Sequence, residues 1–572
     1  IDTDVVYFKE GNNATISARQ GEDYVGLRTN GKVDASNKAD MTTQLMIGFL
    51  PFLYHSNPKN AMVIGYGSGV TVGAAATFKE VESIDCLEIE PAVVGAGPVF
   101  SSINRKSYEN QKVNITYDDA RNYMNVTRKQ YDVIISEPSN PWIAGVASLF
   151  TSEFYDRAAQ VLKPDGVFAQ WVQLYELDPE DLRMILHEFQ AKFPEVSAWN
   201  AGGDLILIGT MKPQQLNLER WTRLAAEDPS VAQNLRQYLL SPAPEGLLAY
   251  YVTSSDAIRK FAENSRHNSD DHPLLEFHAP RELYRNTRDL NVGLLYDTKP
   301  GLLPPGVRVA DLQRVYSGVI DPLLHMDRAN LANQAMGLLS QLDHLEPGRL
   351  EIAIARISLG QDNAVNADQQ LRRAHDAMKP DSPLLAEREE LWGLVSEKLG
   401  AAEEATRHYE AAAAADPKRP VPLRRLAELY SQKKNWNVAA HWLELYVKAE
   451  PAATGHELAL LGDYYMADEN LDKARVAFEN SLKKDPYTFF AHLNLARLFE
   501  LVKQPDDAIK QYEYMMTYAF DRDSDIYVKL VNLYKAKGGR TKDIRRVLER
   551  GHRLYPTDVP IYRLYREAFG AD

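Results

Sequence analysis

Residues 61–76 read Ala-Met-Val-Ile-Gly-Tyr-Gly-Ser-Gly-Val-Thr-Val-Gly-Ala-Ala-Ala, and this stretch decides the architecture of the N-terminal half. Four apolar residues bounded by glycine form a short buried strand. Gly65, Gly67 and Gly69 let the backbone turn sharply and leave room for a ligand against the N-terminus of a small-residue helix through Ala76.

The same alternation continues downstream. Ser83-Ile84-Asp85-Cys86-Leu87-Glu88-Ile89 reads as a strand ending in an acid, 113–117 leads into Asp118-Asp119, and 131–136 is another apolar run. Strands alternating with helical stretches indicate a parallel sheet with crossover helices, an α/β Rossmann-like fold. Glu88, at the end of the second strand, is placed to accept hydrogen bonds from ribose hydroxyls. A nicotinamide fingerprint wants a third glycine where Val70 stands, so the spacing favours a nucleoside of the S-adenosylmethionine type. The competing reading is a tight turn with two solvated acids.

The chain's totals limit what surrounds this unit. At 572 residues it exceeds a single core, so about three domains are expected. Its formal net charge of −14 argues against nucleic-acid binding, which needs a basic surface. Cys86 is the single cysteine, which excludes an intrachain disulfide and a cysteine-based zinc site. The longest apolar stretch, residues 45–54, falls short of the ~20 residues that span a bilayer, so no membrane span is expected. The chain opens at Ile1 rather than Met, and residues 7–17 already read as a strand. We therefore expect a preceding segment of unread nature, a membrane anchor included, and otherwise a cytoplasmic protein.

The C-terminal part has a different period. Ala405, Ala439, Ala474 and Ala508 are spaced 34, 35 and 34 residues apart, each followed four residues later by Tyr409, Leu443, Phe478 and Tyr512. Ala427, Gly462 and Ala496 each precede an aromatic by three residues: Tyr430, Tyr465 and Phe499. Pro417, Pro451 and Pro486 close three units. Antiparallel helices approach closely only where a small side chain faces its partner and a large one fills the adjoining hole, and proline ends the second helix. These landmarks define a helical solenoid of tetratricopeptide (TPR) type. Degenerate units are expected around Ala367 and Leu371 and around Ile544, Leu548 and Pro556, with a capping helix over Val559–Phe569. Such solenoids usually bind a protein or peptide, and packing as a scaffold within the same chain is the alternative use.

Residues 5–210 resemble the spermidine synthase (polyamine aminopropyltransferase) family, especially a long bacterial branch in which this domain is fused to other segments. The resemblance rests on Tyr7-Phe8-Lys9-Glu10-Gly11, Asn30-Gly31-Lys32, Gln44 ahead of Leu50-Pro51, and the glycine loop. It continues through Leu87-Glu88-Ile89-Glu90-Pro91, Asp119-Ala120, Tyr131-Asp132-Val133-Ile134-Ile135 and Leu149-Phe150-Thr151-Ser152-Glu153-Phe154-Tyr155. It implies a small N-terminal β-domain over 1–55 and a class I methyltransferase-type domain over 56–285. It also implies that Gln44, Glu88, Asp119 and Ala120 hold the nucleoside, with Gly65, Gly67, Ser68 and Gly69 under the thioether and amino-acid portion.

The departures bear on chemistry. Active family members carry Asp where Ser68 stands, and Asp-x-x-Asp-Pro where this chain has Glu137-Pro138-Ser139-Asn140-Pro141. Thr43 replaces a Tyr that usually precedes the matched Gln. Glu137 keeps the first acid and is the expected base, with Asn140 beside it. With two acids gone, a doubly charged diamine meets a weaker complementary site, while neutral Ser68 tolerates the carboxylate of intact S-adenosylmethionine. The expected activity is transfer of an aminopropyl-type group from S-adenosylmethionine or its decarboxylated form to an amine or other nucleophile. The alternative is an inactive transferase fold kept as a scaffold.

Asn140-Pro141-Trp142 also faintly resembles the Asn-Pro-Pro-aromatic motif of amino-methyltransferases, against a plain strand-ending turn. Tyr175 reaches the cleft or is core. Ser269-Asp270-Asp271-His272-Pro273 is a turn and helix cap, a substrate contact through Asp271, or, on one His and two acids, a weak metal motif; no metal is expected. Residues 212–265 read as a helical insertion or lid, 299–308 as a proline-stiffened linker within 286–345, and 346–572 as the repeats. Homo-oligomerisation is compatible with all of this.

Overall fold

Apolar residues alternate between two cores on either side of one sheet, and that alternation organises the N-terminal unit. The computed structural model describes residues 4–21, 24–240, 243–299, 301–307, 309–450, 453–517, 523–538 and 541–570. Ile1, Pro300, Arg308 and Pro451 lie outside them.

The chain begins with four strands, β1 (Asp4–Glu10), β2 (Thr15–Gly21), β3 (Tyr24–Thr29) and β4 (Lys32–Ser36), ordered 1-2-3-4 in one sheet. The run expected as one strand over 7–17 is a hairpin: the Gly11 N–H bonds to the Ala14 carbonyl and turns the chain. α1 (Asp40–Tyr54) follows, buried along most of its length despite Pro51.

The central sheet contains β5 (Asn60–Ile64), β6 (Ser83–Leu87), β7 (Val113–Thr116), β8 (Tyr131–Ser136), β9 (Leu162–Gln173), β10 (Glu195–Ala201), β11 (Asp204–Thr210) and β12 (Tyr251–Ser254). Their order is 12-10-11-9-8-5-6-7. β5 to β9 are parallel, and β11, β10 and β12 add antiparallel. The order reverses at β5, flanked by β6 and β8, so the crevice beyond the C-terminal ends of these strands is where such sheets bind ligands. Every residue of β8 is buried, as a strand covered on both faces requires. Ala61 and Val63 join the core with Ile47 and Phe49, whereas Met62 and Ile64 join the core with Phe154 and Phe168.

The crossover helices needed below are α2 (Val70–Ala75), α3 (Pro91–Ala96), α4 (Ala120–Val126), α5 (Ser152–Val161) and α6 (Pro179–Lys192). Within 212–265, expected as wholly helical, Tyr251–Ser254 is instead β12 at the sheet edge. The helix Leu218–Glu227 is not a free lid. Trp221 is buried and packs edge-on against Phe49 at 5.0 Å. Buried Arg220 donates to the Phe52 and His55 carbonyls at the C-terminal end of α1, and to Glu80.

Contacts divide the chain into two compact units, one spanning Val5–Gln20 and Tyr24–Leu384, the other built from Leu385–Asp572. The second begins later than residue 346, because the helix pair Arg349–Gly360 and Ala364–Ala377 groups with the first unit. In the second unit, helices pair antiparallel: Leu385–Lys398 with Ala402–Ala415, Pro420–Gln432 with Trp436–Ala449, Gly455–Ala467 with Leu471–Lys484, and Phe489–Leu501 with Pro505–Thr517. Asp525–Lys537, Thr541–Leu554 and Val559–Phe569 complete it. The small residues are contact points: a Cβ at Gly462 would lie 2.5 Å from the Phe478 ring, and one at Gly393 would lie 2.4 Å from Tyr409. Ala405, Ala439, Ala474, Ala508, Tyr409, Phe478 and Tyr512 are fully buried, and the Tyr409 hydroxyl donates to Glu397 at 3.0 Å.

Candidate functional site at the sheet switch point

The loop after β5 has the conformation its glycines allow. Gly65 has φ +92°, and a Cβ there would stand 2.5 Å from the Glu137 carbonyl. Gly69 has φ +82°, with Tyr66 and Ser107 against the position of its missing Cβ. Gly67, φ +54°, faces open space. Asn104 holds the outer side of the loop through its side-chain amide, which donates to the Ser68 and Gly97 carbonyls at 2.9 Å each.

Glu88 sits at the end of β6, buried, and accepts from the Tyr66 N–H and the Glu90 N–H at 2.9 Å each, one per oxygen. Each oxygen keeps a second lone pair. Burial is the main cause that pushes this carboxyl above its ordinary range, and the backbone donors counter it. Asp119 caps α4 by accepting from the Asn122 N–H at 2.9 Å, and Ala120 is buried behind it. Two apolar side chains that the sequence reading did not single out, Ile89 and Tyr117, directly follow Glu88 and β7 and are more than half exposed. Position at strand ends, not composition, is the signal that finds them.

Gln44 and Ser68 are joined. The Ser68 hydroxyl donates to Gln44 Oε1, while Gln44 Nε2 donates to the Ser36 carbonyl at 3.3 Å. This pair fastens the glycine loop to α1. Glu137 follows β8, and its N–H continues the ladder to the Ile64 carbonyl. The Thr71 hydroxyl lies against Glu137 Oε2 and 3.1 Å from the Gln44 carbonyl. With one proton, Thr71 either donates to the Glu137 carboxylate or accepts from protonated Glu137 while donating to Gln44. Burial, with Asp204 and Asp40 adding to it against the Thr71 hydroxyl, pushes the Glu137 carboxyl up to about 7.

Asn140 is buried in a polar chain. Its amide donates to Gln173 Oε1 at 3.2 Å and to the Tyr175 hydroxyl at 3.0 Å, and its carbonyl accepts from Lys32. Lys32 also pairs with Asp34 at 3.1 Å and lies over the Trp142 ring at 5.5 Å. Tyr175 meets Trp142 edge-on at 6.1 Å, so Tyr175 belongs to this cluster. Two further acids join from elsewhere. Asp204, the first residue of β11, accepts from the Thr43 hydroxyl at 2.6 Å, and Asp40, the first residue of α1, accepts from Ser36 at 2.6 Å. Burial, chiefly, raises Asp204 to about 6, with the hydroxyl of Thr43 and the indole of Trp171 acting against it.

The segment 269–273 stands apart from this network. Asp270 pairs with Arg121 and accepts from Thr151 at 2.9 Å, Ser269 and His272 close a turn, and Asp271 and His272 are exposed. It is a turn that ties α4 to the N-cap of α5. Among the described residues, the groups able to bring three metal-ligand atoms together are His187, Glu188 and His267, and His55, Asp132 and Asp165, neither of which includes it.

Residues 41–201 match the family model described as the spermine/spermidine synthase domain. A polyamine aminopropyltransferase of Methanocaldococcus jannaschii is 35% identical over 135 residues, 23% of this chain and 46% of that protein. One from Shigella boydii is 33% identical over 143 residues, 25% of this chain and 49% of that protein. The chain thus spans about half the length of the curated relatives it matches. The solved spermidine synthase from Thermotoga maritima is similar at 19% identity and a TM-score of 0.34, over 51% of this chain and 88% of that one. On the family match and the two aminopropyltransferases, residues 41–201 form a spermidine-synthase-like domain.

Proposed function

We propose that the N-terminal unit is an aminopropyltransferase-like enzyme that moves an alkyl group from decarboxylated S-adenosylmethionine, or from S-adenosylmethionine itself, to an amine. The observation that carries this reading is Glu137. It is a largely buried carboxyl at the switch point, held by Thr71 and raised to about 7, the range a general base needs near neutral pH.

In this reading Glu88 receives the ribose hydroxyls on its remaining lone pairs. Ile89 and Tyr117 cover the faces of the base, and the open side of Gly67 faces the sulfonium end. Asp119 and Ala120 flank the adenine. Glu137 takes the proton from the acceptor amine as the nitrogen lone pair forms the new C–N bond. The C–S bond breaks, its electron pair stays on sulfur, and the neutral thioether leaves. Ser68 and Gln44 fix the loop against α1 while this happens. Relatives named polyamine aminopropyltransferases support the transfer.

For the C-terminal unit we infer a TPR-type solenoid that offers a protein or peptide surface. The register of Gly393 with Tyr409 and of Gly462 with Phe478 supports that architecture.

The test is calorimetric titration of the full chain with S-adenosylmethionine, its decarboxylated form and methylthioadenosine. Micromolar binding that disappears in Glu88→Ala supports the reading. Absence of binding by all three rejects it in favour of a scaffold.

A further inference from the structure

Glu188 is a carboxylate on α6 that is only 3% exposed, and among the described residues no Lys or Arg pairs with it. Its Oε1 accepts from the Asn268 N–H at 2.9 Å and faces His267 Nδ1 at 3.2 Å. Its Oε2 accepts no hydrogen bond from a described residue. A buried carboxylate needs a cation beside it. Two species can supply one here, a proton on His267 or a metal ion.

We propose that His187, Glu188 and His267 bind a divalent transition-metal ion of the zinc class, a site that does not depend on the transferase reading. His187 precedes Glu188 on α6, and its ring stands edge-on to that of His267 with centroids 4.8 Å apart. One ligand atom from each of the three residues lies within 4.8 Å of the other two. The 3.2 Å between His267 Nδ1 and Glu188 Oε1 is close to the ~3.3 Å that separates two ligands of a tetrahedral zinc with bonds near 2.0 Å. The ion takes the place of the hydrogen between them.

This exchange needs no net loss of a proton. The His267 side chain is 77% exposed, so its proton moves to Nε2 in solvent as Nδ1 takes the metal. His187 is partly exposed and reaches the ion by side-chain rotation. Two imidazoles and a carboxylate are a donor set that zinc uses with water in the fourth position.

The cluster of His55, Asp132 and Asp165 lacks this chemistry. His55 Nδ1 accepts from the Asn57 N–H at 3.1 Å, so its Nε2 carries the proton and has no lone pair to give. Asp132 is already held by Lys163 and by the Lys59 and Asn60 N–H groups. The His187 site escapes a reading of the sequence because Glu188 and His267 are 79 residues apart. Once bound, the ion fastens the segment around His267 to α6. Asn268 of that segment donates to the Phe150 carbonyl at 3.0 Å, and Asp270 holds Arg121 and Thr151, so the ion also braces the starts of α4 and α5.

The experiment is calorimetric titration of the chelator-stripped full chain with zinc(II), repeated with cobalt(II) and followed by visible absorption. One zinc per chain is expected, with the intense bands of four-coordinate cobalt. His187→Ala and His267→Ala should each weaken zinc by at least about tenfold, the scale on which even outer partners of a metal act. Glu188→Gln, whose amide oxygen still accepts from Asn268, should do the same. His272→Ala, exposed and outside the cluster, should bind as the wild type does. Unfolding curves in chelator check that the variants are folded, and the exposed His267 leaves at least one that is. A zinc that survives either histidine substitution overturns the site. A wild type that takes up no zinc also overturns it and leaves a protonated His267 as the cation beside Glu188.

Discussion

Thr43 donates its hydroxyl to Asp204 at 2.6 Å, and this bond joins the first turn of α1 to the start of β11 beside Glu137. Residues far apart in the chain thereby share one electrostatic neighbourhood. Asp204 and Asp40 both oppose ionisation of Glu137, Asp40 also opposes that of Asp204, and Lys32 is aimed at Asp34 and Asn140 instead.

The first prediction concerns pH and rate. Glu137 must be ionised to accept a proton, so kcat/KM should rise with pH through about 7 and then level off. Glu137→Gln should lower kcat by a factor on the order of 100 or more while leaving methylthioadenosine affinity within about twofold. A pH profile that is flat between 5.5 and 8 would remove Glu137 from the role of base.

The second concerns stability. Glu137 and Asp204 hold their protons more tightly in the fold than in the unfolded chain, because both carboxyls are raised. The folded state therefore binds more protons between the ordinary carboxylate range and about 7, and stability falls as pH rises through that window. Melting temperature of the N-terminal unit should drop from pH 5 to pH 7.5. Glu137→Gln should reduce the drop and raise the pH 7.5 melting temperature by about 1–2 °C, for about 1 kcal/mol.

A third follows from the same sign. An acceptor ammonium bound next to Glu137 favours its ionised form, so binding of an amine such as 1,4-diaminobutane at pH 6.5 should release protons. Titrations in two buffers of different ionisation enthalpy should give different apparent heats at pH 6.5 and converge at pH 8.5. Equal heats at both values would mean that the cation binds elsewhere.

The glycine loop, the continuous apolar run of β8 and the period of the C-terminal helix pairs were legible because each is a local pattern: positive-φ positions, burial on both faces, and small residues facing large ones. Glu137 and Asn140 could be singled out as candidates for the same reason, as motif positions after a strand. Asp40, Asp204 and Lys32 were not, since an acid at a helix start, an acid at a strand start and a turn lysine each look solvated until the fold brings them together. β12 was missed because four residues between two helical turns carry no alternation long enough to declare a strand. The hairpin within 7–17 was missed because its turn, Gly11 to Ala14, is flanked by strands of similar composition.

The last prediction separates the two units. Gly65→Ala asks an L-residue to hold φ +92° and sets its Cβ 2.5 Å from the Glu137 carbonyl, a backbone atom that cannot swing aside. Strain and displacement together should cost about 2–4 kcal/mol and abolish nucleoside binding. Phe478→Ala instead opens a cavity against Gly462 in the second unit, at about 3–5 kcal/mol. Because neither core cluster contains residues of the other unit, Phe478→Ala should leave methylthioadenosine affinity unchanged while limited proteolysis removes the helices beyond Leu385 faster. Gly65→Ala should do the reverse. If Phe478→Ala instead lowered nucleoside affinity, the solenoid would be coupled to the site, and the two units would have to be treated as one functional body.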